Sequence, residues 1–260
     1  MAPVVHLWIL QLPTYFLIIS FVCCLGVFIL PWWAERFGQS EALASKLYLL
    51  ILVSGFLGGR LFHILFEDWS YYVQHPLEML YVWQGGFVFL GGVALALLAS
   101  WYWLKKQGED FLQWADLFAP WMSFGYAFGR VGCFFNGCCY GKECHLPWAV
   151  KFPAHMFVIE PFVSRHPTQI YAFLGAIFTF LMLAIWSVKR KEKWEAFKNT
   201  GFIFFAWLML SGFFRFVIEF YRDDDRGPLY YGFSISSMLS VLMVGCGFWL
   251  WIWRRNALSS

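Results

Sequence analysis

Charge is what this sequence has least of. Only 13% of its 260 residues are charged, whereas 60% are hydrophobic, and a soluble domain carries about twice that share of charge. The net charge is a small +3, with no basic tract, which argues against nucleic acid as a partner. The first eleven residues, MAPVVHLWILQ, lack lysine, arginine and a small-residue cleavage site. The first apolar segment is therefore expected to remain as a span and not be removed as a signal peptide. No internal repeat and no low-complexity linker interrupt the chain, so residues 1–260 are expected to form a single membrane domain. Among the seven cysteines no C-x-x-C pair occurs, so the motif of a poised disulfide-exchange protein is missing.

Long apolar runs are present instead. A mean hydropathy of +0.60 and a 23% share of aromatic residues mark an integral membrane protein. About 20 apolar residues cross a bilayer, which predicts seven spans near residues 12–30, 47–66, 84–104, 111–129, 168–188, 201–221 and 231–253. Basic residues mark alternate connections: Arg36 and Lys46, then Lys105 and Lys106, then Lys189, Arg190, Lys191, Lys193 and Lys198, then Arg254 and Arg255. Glu67, Asp68, Glu78 and the stretch "RDDDRGP" fall on the opposite side. The positive-inside rule then predicts an outer N-terminus and a cytoplasmic C-terminus. The expected fold class is all-α, a polytopic membrane protein of seven transmembrane helices. Residues 130–167, broken by Pro147, Pro153, Pro161 and Pro167, are expected as a small non-cytoplasmic loop or cap.

Arginine inside a span costs about 2.5–3.5 kcal/mol on insertion scales, so Arg60 in "GGRLFHILF" and Arg215 in "GFFRFVIEFYR" need partners. Both lie late in outward-running spans, and Arg130 and Arg222 end two such spans. The inward-running spans begin at the same level with Tyr15, with Gly85 and Gly86, with His166, Gln169 and Tyr171, and with Ser234, Ser236 and Ser237. Snorkelling toward headgroups explains any one such arginine; four at one depth suggest a bound anion. Glu219, four residues after Arg215, is placed to pair with it, and Asp116 is a deeper acidic candidate for Arg60 or Arg130. Guanidinium forks bind phosphate bidentately, which makes an anionic membrane lipid the leading ligand.

The motifs resemble those of the prolipoprotein diacylglyceryl transferase family. "GRVGCFFNGCCYG" keeps Gly129, Arg130, Gly132, Phe134, Asn136, Gly137 and Gly141 of the family signature. "GGRLFHILF", "HPLEMLYVWQGGFVFLGG", "ADLFAP", "RHPTQIY" and "RFVIEFYR" follow the family order over about residues 13–245. The resemblance implies transfer of the diacylglyceryl group of phosphatidylglycerol to the lipobox cysteine thiol of a prolipoprotein signal peptide, in a bacterial cytoplasmic (inner) membrane. A thioether would form and glycerol 1-phosphate would leave, with no cofactor. On this reading Arg130 and Arg215 meet the charge on the departing phosphate, Asn136 orients the headgroup and Tyr15 donates a hydrogen bond or moves a proton. Gly141 allows a close backbone approach, and Arg60, Glu219 and Arg222 complete the substrate-binding set. Gly85, Gly86, Gly91 and Gly92 are expected to serve helix packing.

The chain departs from the family pattern at four positions: Cys133 replaces an asparagine, Cys138 an acidic residue, Leu90 a histidine or tyrosine, and Ala172 a glutamate. His166, Tyr15 and Glu219 are the candidates for the proton acceptor that Leu90 cannot be. The departures leave open a lipid-binding paralogue without the reaction. Cys133, Cys138, Cys139 and Cys144, with His145, raise a membrane redox protein as a further alternative. For these cysteines, packing or a structural disulfide is expected before redox chemistry, and a metal last, because the spacing matches no common zinc finger. A transporter is disfavoured, since the inner halves of the spans carry no charge that would line a path.

Overall fold

The computed structural model describes residues 4–7, 10–82, 85–153, 161–191, 200–223 and 234–259. Lys193, Lys198, most of "RDDDRGP", the start of the seventh expected span and residues 154–160 of the expected cap lie outside the described residues.

A hairpin of β1 (Val4–Leu7) and β2 (Leu10–Pro13), paired antiparallel with Val4 opposite Pro13, precedes the first helix. Then come α1 (Thr14–Arg36) and α2 (Glu41–Phe62), a π-helical turn (His63–Glu67), α3 (Trp69–Gln74) and a 3-10 turn (Pro76–Leu80). These are followed by α4 (Phe89–Gln107), α5 (Phe111–Asn136), the short antiparallel pair β3 (Val150–Lys151) and β4 (Ser164–Arg165), α6 (Thr168–Lys191), α7 (Phe202–Glu219) and α8 (Ile235–Ser259). The two short ladders depart from an all-helical expectation. Both lie outside the long helices, where extended backbone finds partners of its own.

A long helix occupies each of the seven expected places. Five of them, α1, α2 with its π turn, α6, α7 and α8, are long and apolar enough to cross a membrane. The tail "SWYWLKKQ" of α4 dilutes its apolar character, and Gln113, Asp116, Ser123 and Arg130 dilute that of α5. Two boundaries differ from the sequence reading for identifiable reasons. α4 begins at Phe89, not near residue 84, because Gly85 and Gly86 take left-handed conformations, with φ of 87° and 75°. α5 runs past Arg130 to Asn136, where Gly137 at φ 72° supplies the left-handed stop.

The chain groups into two compact units. In the unit Gly26–Phe111, α2 begins with Ser40 as its cap, its hydroxyl accepting from the Leu43 amide at 3.3 Å. α2 and α4 approach through glycine: a methyl on Gly58 would lie 2.5 Å from the Gly91 carbonyl, and one on Gly92 2.8 Å from that of Gly55. Small residues let backbones touch where lipid offers no hydrophobic drive. Gly91 and Gly92 thus pack helices, whereas Gly85 and Gly86 bend the chain.

The second unit comprises Met1–Leu25 and Leu112–Ser260. Trp121 and Phe124 of α5 each meet Phe180 of α6 at 5.3 Å between ring centroids. Ala119, Leu183, Ile203 and Ala206 form a buried cluster. α7 lies close on α8 at Gly212, where an added methyl would stand 2.7 Å from the Ser240 carbonyl. Asp116, expected as a candidate partner for Arg60 or Arg130, binds backbone amides among its described contacts. Its carboxylate accepts from the Gly201 and Phe204 amides, both at 2.8 Å, and so caps α7, whose own N-cap is a glycine without a side chain. Hydrogen bonds to a charged group contribute about 1.5–3 kcal/mol each, so Asp116→Ala should lower the thermal unfolding midpoint in detergent clearly, and Asp116→Asn less so.

Candidate functional site

The site is built where α5 ends. Gly132 leaves room for the Tyr15 ring: a methyl there would stand 2.8 Å from Tyr15 Cδ2. Tyr15 thereby comes within electrostatic reach of Arg130, Cys133, Cys138 and Cys139. The Arg130 guanidinium lies 4.8 Å from the centre of the Tyr126 ring. One helical turn separates these two residues, a signal that sequence reading passed over.

α7 supplies the second cation. Arg215 Nη2 pairs with Glu219 Oε2 at 3.1 Å, and Ser234 donates to the other oxygen of the same carboxylate. Arg215 is also within electrostatic reach of Arg222, Tyr126 and Arg130. Arg130, Arg215 and Arg222 are therefore near enough to one another for their charges to repel. Like charges gathered away from water repel strongly, and a multiply charged oxyanion is the ligand that relieves them.

The loop after α5 is fixed to the ends of α6 and α7. Gly141 forms a β-bridge with Arg222, and its amide donates to the His166 carbonyl at 2.9 Å. The Lys142 amide donates to the Tyr221 carbonyl at 2.8 Å. Arg165 pairs with Asp223 at 2.9 Å and covers the Tyr140 ring at 4.9 Å. A methyl on Gly141 would meet the Tyr221 carbonyl at 2.5 Å and His166 Cβ at 2.7 Å. Gly141 thus lets two strands of backbone touch, which is the close approach expected of it.

His166 is held by aromatic neighbours. Its Nδ1 lies 3.0 Å from the Tyr171 hydroxyl, which also accepts from Trp148 Nε1 at 2.8 Å, and its ring stands edge-on to Tyr221. In the tautomer with hydrogen on Nδ1, Nε2 is the acceptor. Tyr171 also borders an apolar groove of 440 Å³ lined by Leu174, Gly175, Phe178 and Phe214.

None of the seven cysteines is in a disulfide. Asn136 Nδ2 lies 3.8 Å from Cys138 Sγ. The Cys139 thiol is held well below the usual thiol range, first by hydrogen bonds from Cys133 and Cys138 and then by the charges of Arg222 and Arg130. Sequence reading missed Thr168, whose hydroxyl donates to the Cys139 carbonyl at 2.6 Å.

Arg60 belongs to the unit Gly26–Phe111 and is buried there with backbone partners. Its Nε donates to the Met79 carbonyl at 3.2 Å, Nη2 to that of Glu78 at 2.8 Å, and Nη1 to those of Gly85 at 2.6 Å and Gly86 at 3.3 Å. Four of the five N–H groups of a guanidinium are used in this way. Leu90, on the first turn of α4, is exposed.

The model of the prolipoprotein diacylglyceryl transferase family matches residues 3–253. Among similar curated proteins, the phosphatidylglycerol--prolipoprotein diacylglyceryl transferase of Polaromonas naphthalenivorans is 40% identical over 208 residues, 78% of this chain and 73% of the relative. Proteins of the same name from Paracidovorax citrulli and Methylobacillus flagellatus are 39% and 36% identical, over 77% and 85% of this chain and 72% and 81% of theirs.

The two motif glycines should respond differently to a methyl group. Gly141→Ala should destabilise the protein by about 1–3 kcal/mol, as overpacking does. Gly129→Ala meets only Ile19 Cδ1 at 3.6 Å, an ordinary contact, and should leave the unfolding midpoint unchanged or raise it.

Proposed function

The chain belongs to the prolipoprotein diacylglyceryl transferase family, and from that premise we propose that it transfers the diacylglyceryl group of phosphatidylglycerol to the lipobox cysteine thiol of a prolipoprotein signal peptide. It is a transferase and a multi-pass membrane protein of lipoprotein biosynthesis. The observation that carries the reading is that Arg130, Arg215 and Arg222 lie within electrostatic reach of one another. In this site the substrate sulfur bonds to the glyceryl carbon and the carbon–oxygen bond to phosphate breaks. The electron pair leaves with glycerol 1-phosphate, and a thioether remains.

Negative charge grows on the departing phosphate ester, and fixed cations in a dry site meet it best. Arg130 and Arg215 take that role. Arg222 and Asn136 hold the headgroup, and Tyr15 donates a hydrogen bond to it. Glu219 is occupied by Arg215 and Ser234, which makes it a poor base. His166 accepts the thiol proton through Nε2, with Nδ1 anchored on Tyr171. Gly141 keeps the loop against Tyr221, and Arg60, with its donors committed to carbonyls, positions the entry to α4 more than it binds lipid. The apolar groove beside Tyr171 suits an acyl chain.

In this reading the chain is one domain of seven spans, with α4 and α5 as the third and fourth. It sits in the bacterial cytoplasmic membrane with its N-terminus outside, and the loop that follows α5 lies at the outer face. Purified protein in detergent, given phosphatidylglycerol and a lipobox peptide, should add a diacylglyceryl mass to the peptide. Arg130→Ala should lose about 100- to 1000-fold in rate, the range for a lost oxyanion donor. Turnover near wild type in that variant would remove Arg130 from the mechanism.

A further inference from the structure

Cys133, Cys138 and Cys139 take no part in the reaction above, yet the fold gathers them. Cys133 lies in the last turn of α5, and Gly137 turns the chain so that the Cys138 amide donates to the Cys133 carbonyl at 3.2 Å. Cys139 then takes a left-handed conformation, with φ of 62°. That conformation costs a residue with a side chain about 1–2 kcal/mol and persists only where the surroundings fix it. Here both carbonyls are clamped: Gln169 Nε2 donates to that of Cys138 at 2.7 Å and the Thr168 hydroxyl to that of Cys139 at 2.6 Å. The three sulfurs lie within 4.8 Å of one another as a result.

A disulfide would use only two of the three sulfurs. A metal ion uses all of them. Metal–sulfur bonds of about 2.3 Å set three sulfurs roughly 4 Å apart around one ion, so the cluster needs only a small contraction. Soft thiolate donors select Cu(I) and Zn(II) over harder cations. Three thiolates with either ion leave a net negative charge, and Arg130 and Arg222 are within electrostatic reach to balance it. Asn136, with Nδ2 3.8 Å from Cys138 Sγ, is placed to support a ligand from the outer shell. We propose that Cys133, Cys138 and Cys139 form a three-thiolate site for one thiophilic d10 cation of the Cu(I) or Zn(II) class. Among the described residues no fourth histidine, cysteine or carboxylate joins the group. Three donors alone suit trigonal Cu(I), and they leave Zn(II) one position for water.

The test reads metal and not transfer, so its outcome is separable from that of the proposed reaction. Full-length protein, reduced in detergent, is titrated with Cu(I) against a chromophoric competitor and, separately, with Zn(II). One equivalent should be retained, with sulfur-to-metal charge-transfer absorption. Alkylation followed by peptide mass analysis should find Cys133, Cys138 and Cys139 protected in the loaded protein and Cys144 still reactive. Cys139→Ser should weaken binding about 100-fold or more, beyond the range of an outer-shell change, and Cys144→Ser should bind as wild type does. Failure of both ions to bind, or equal binding by Cys139→Ser, would overturn the site. If Cys139→Ser does not fold, the wild-type protection pattern decides alone, and protection that omits any of the three would refute it.

Discussion

Positive charge held away from water has to be matched, and most of the polar architecture of this chain follows from how each guanidinium is matched. Arg60 is matched by backbone: four carbonyl bonds drawn from residues 78–86, possible because Gly85 and Gly86 adopt left-handed conformations. Arg165 is matched by Asp223. Arg215 is matched by Glu219, which must also serve Ser234. Arg130 has an aromatic face beside it, and among the described residues no carboxylate pairs with it. Arg130, Arg215 and Arg222 lie within electrostatic reach of one another, and in the proposed function an anionic headgroup completes their balance.

That convergence depends on a short piece of irregular chain. Gly137 stops α5, and the following residues are tied to α6 through Thr168, Gln169 and His166 and to α7 through Tyr221 and Arg222. Without those ties Arg222 and Arg130 would answer to separate helices. The same ties gather three thiols, so the loop that sets the charge also carries the proposed soft-metal site. Asp116 performs the corresponding service at the other end of α7, holding amides that a membrane interior would otherwise leave unsatisfied.

Five of the long helices were legible because their apolar length alone marks them as able to cross a membrane. The Arg215–Glu219 pair was legible because residues four apart share a helix face. The closeness permitted by Gly141 was legible from the resemblance, although the atoms it admits, the Tyr221 carbonyl and His166 Cβ, were not. What escaped the sequence was long-range or turned on φ. Asp116 reaches amides 85 and 88 residues away, and nothing near it in sequence announces that it caps α7. The carbonyl partners of Arg60 were not legible because backbone carbonyls have no sequence signature. The closeness of the three cysteine sulfurs escaped as well, because the helix end, and not a regular spacing, brings them together.

The central claim is that converging guanidinium groups hold a lipid by its phosphate. The direct measurement is retention of dioleoyl phosphatidylglycerol against diacylglycerol with the same acyl chains, read by native mass spectrometry of the detergent-released protein. Selective retention of the phospholipid, weakening as salt rises, is the expected result. Equal retention of both lipids would contradict the claim and assign binding to the acyl chains alone.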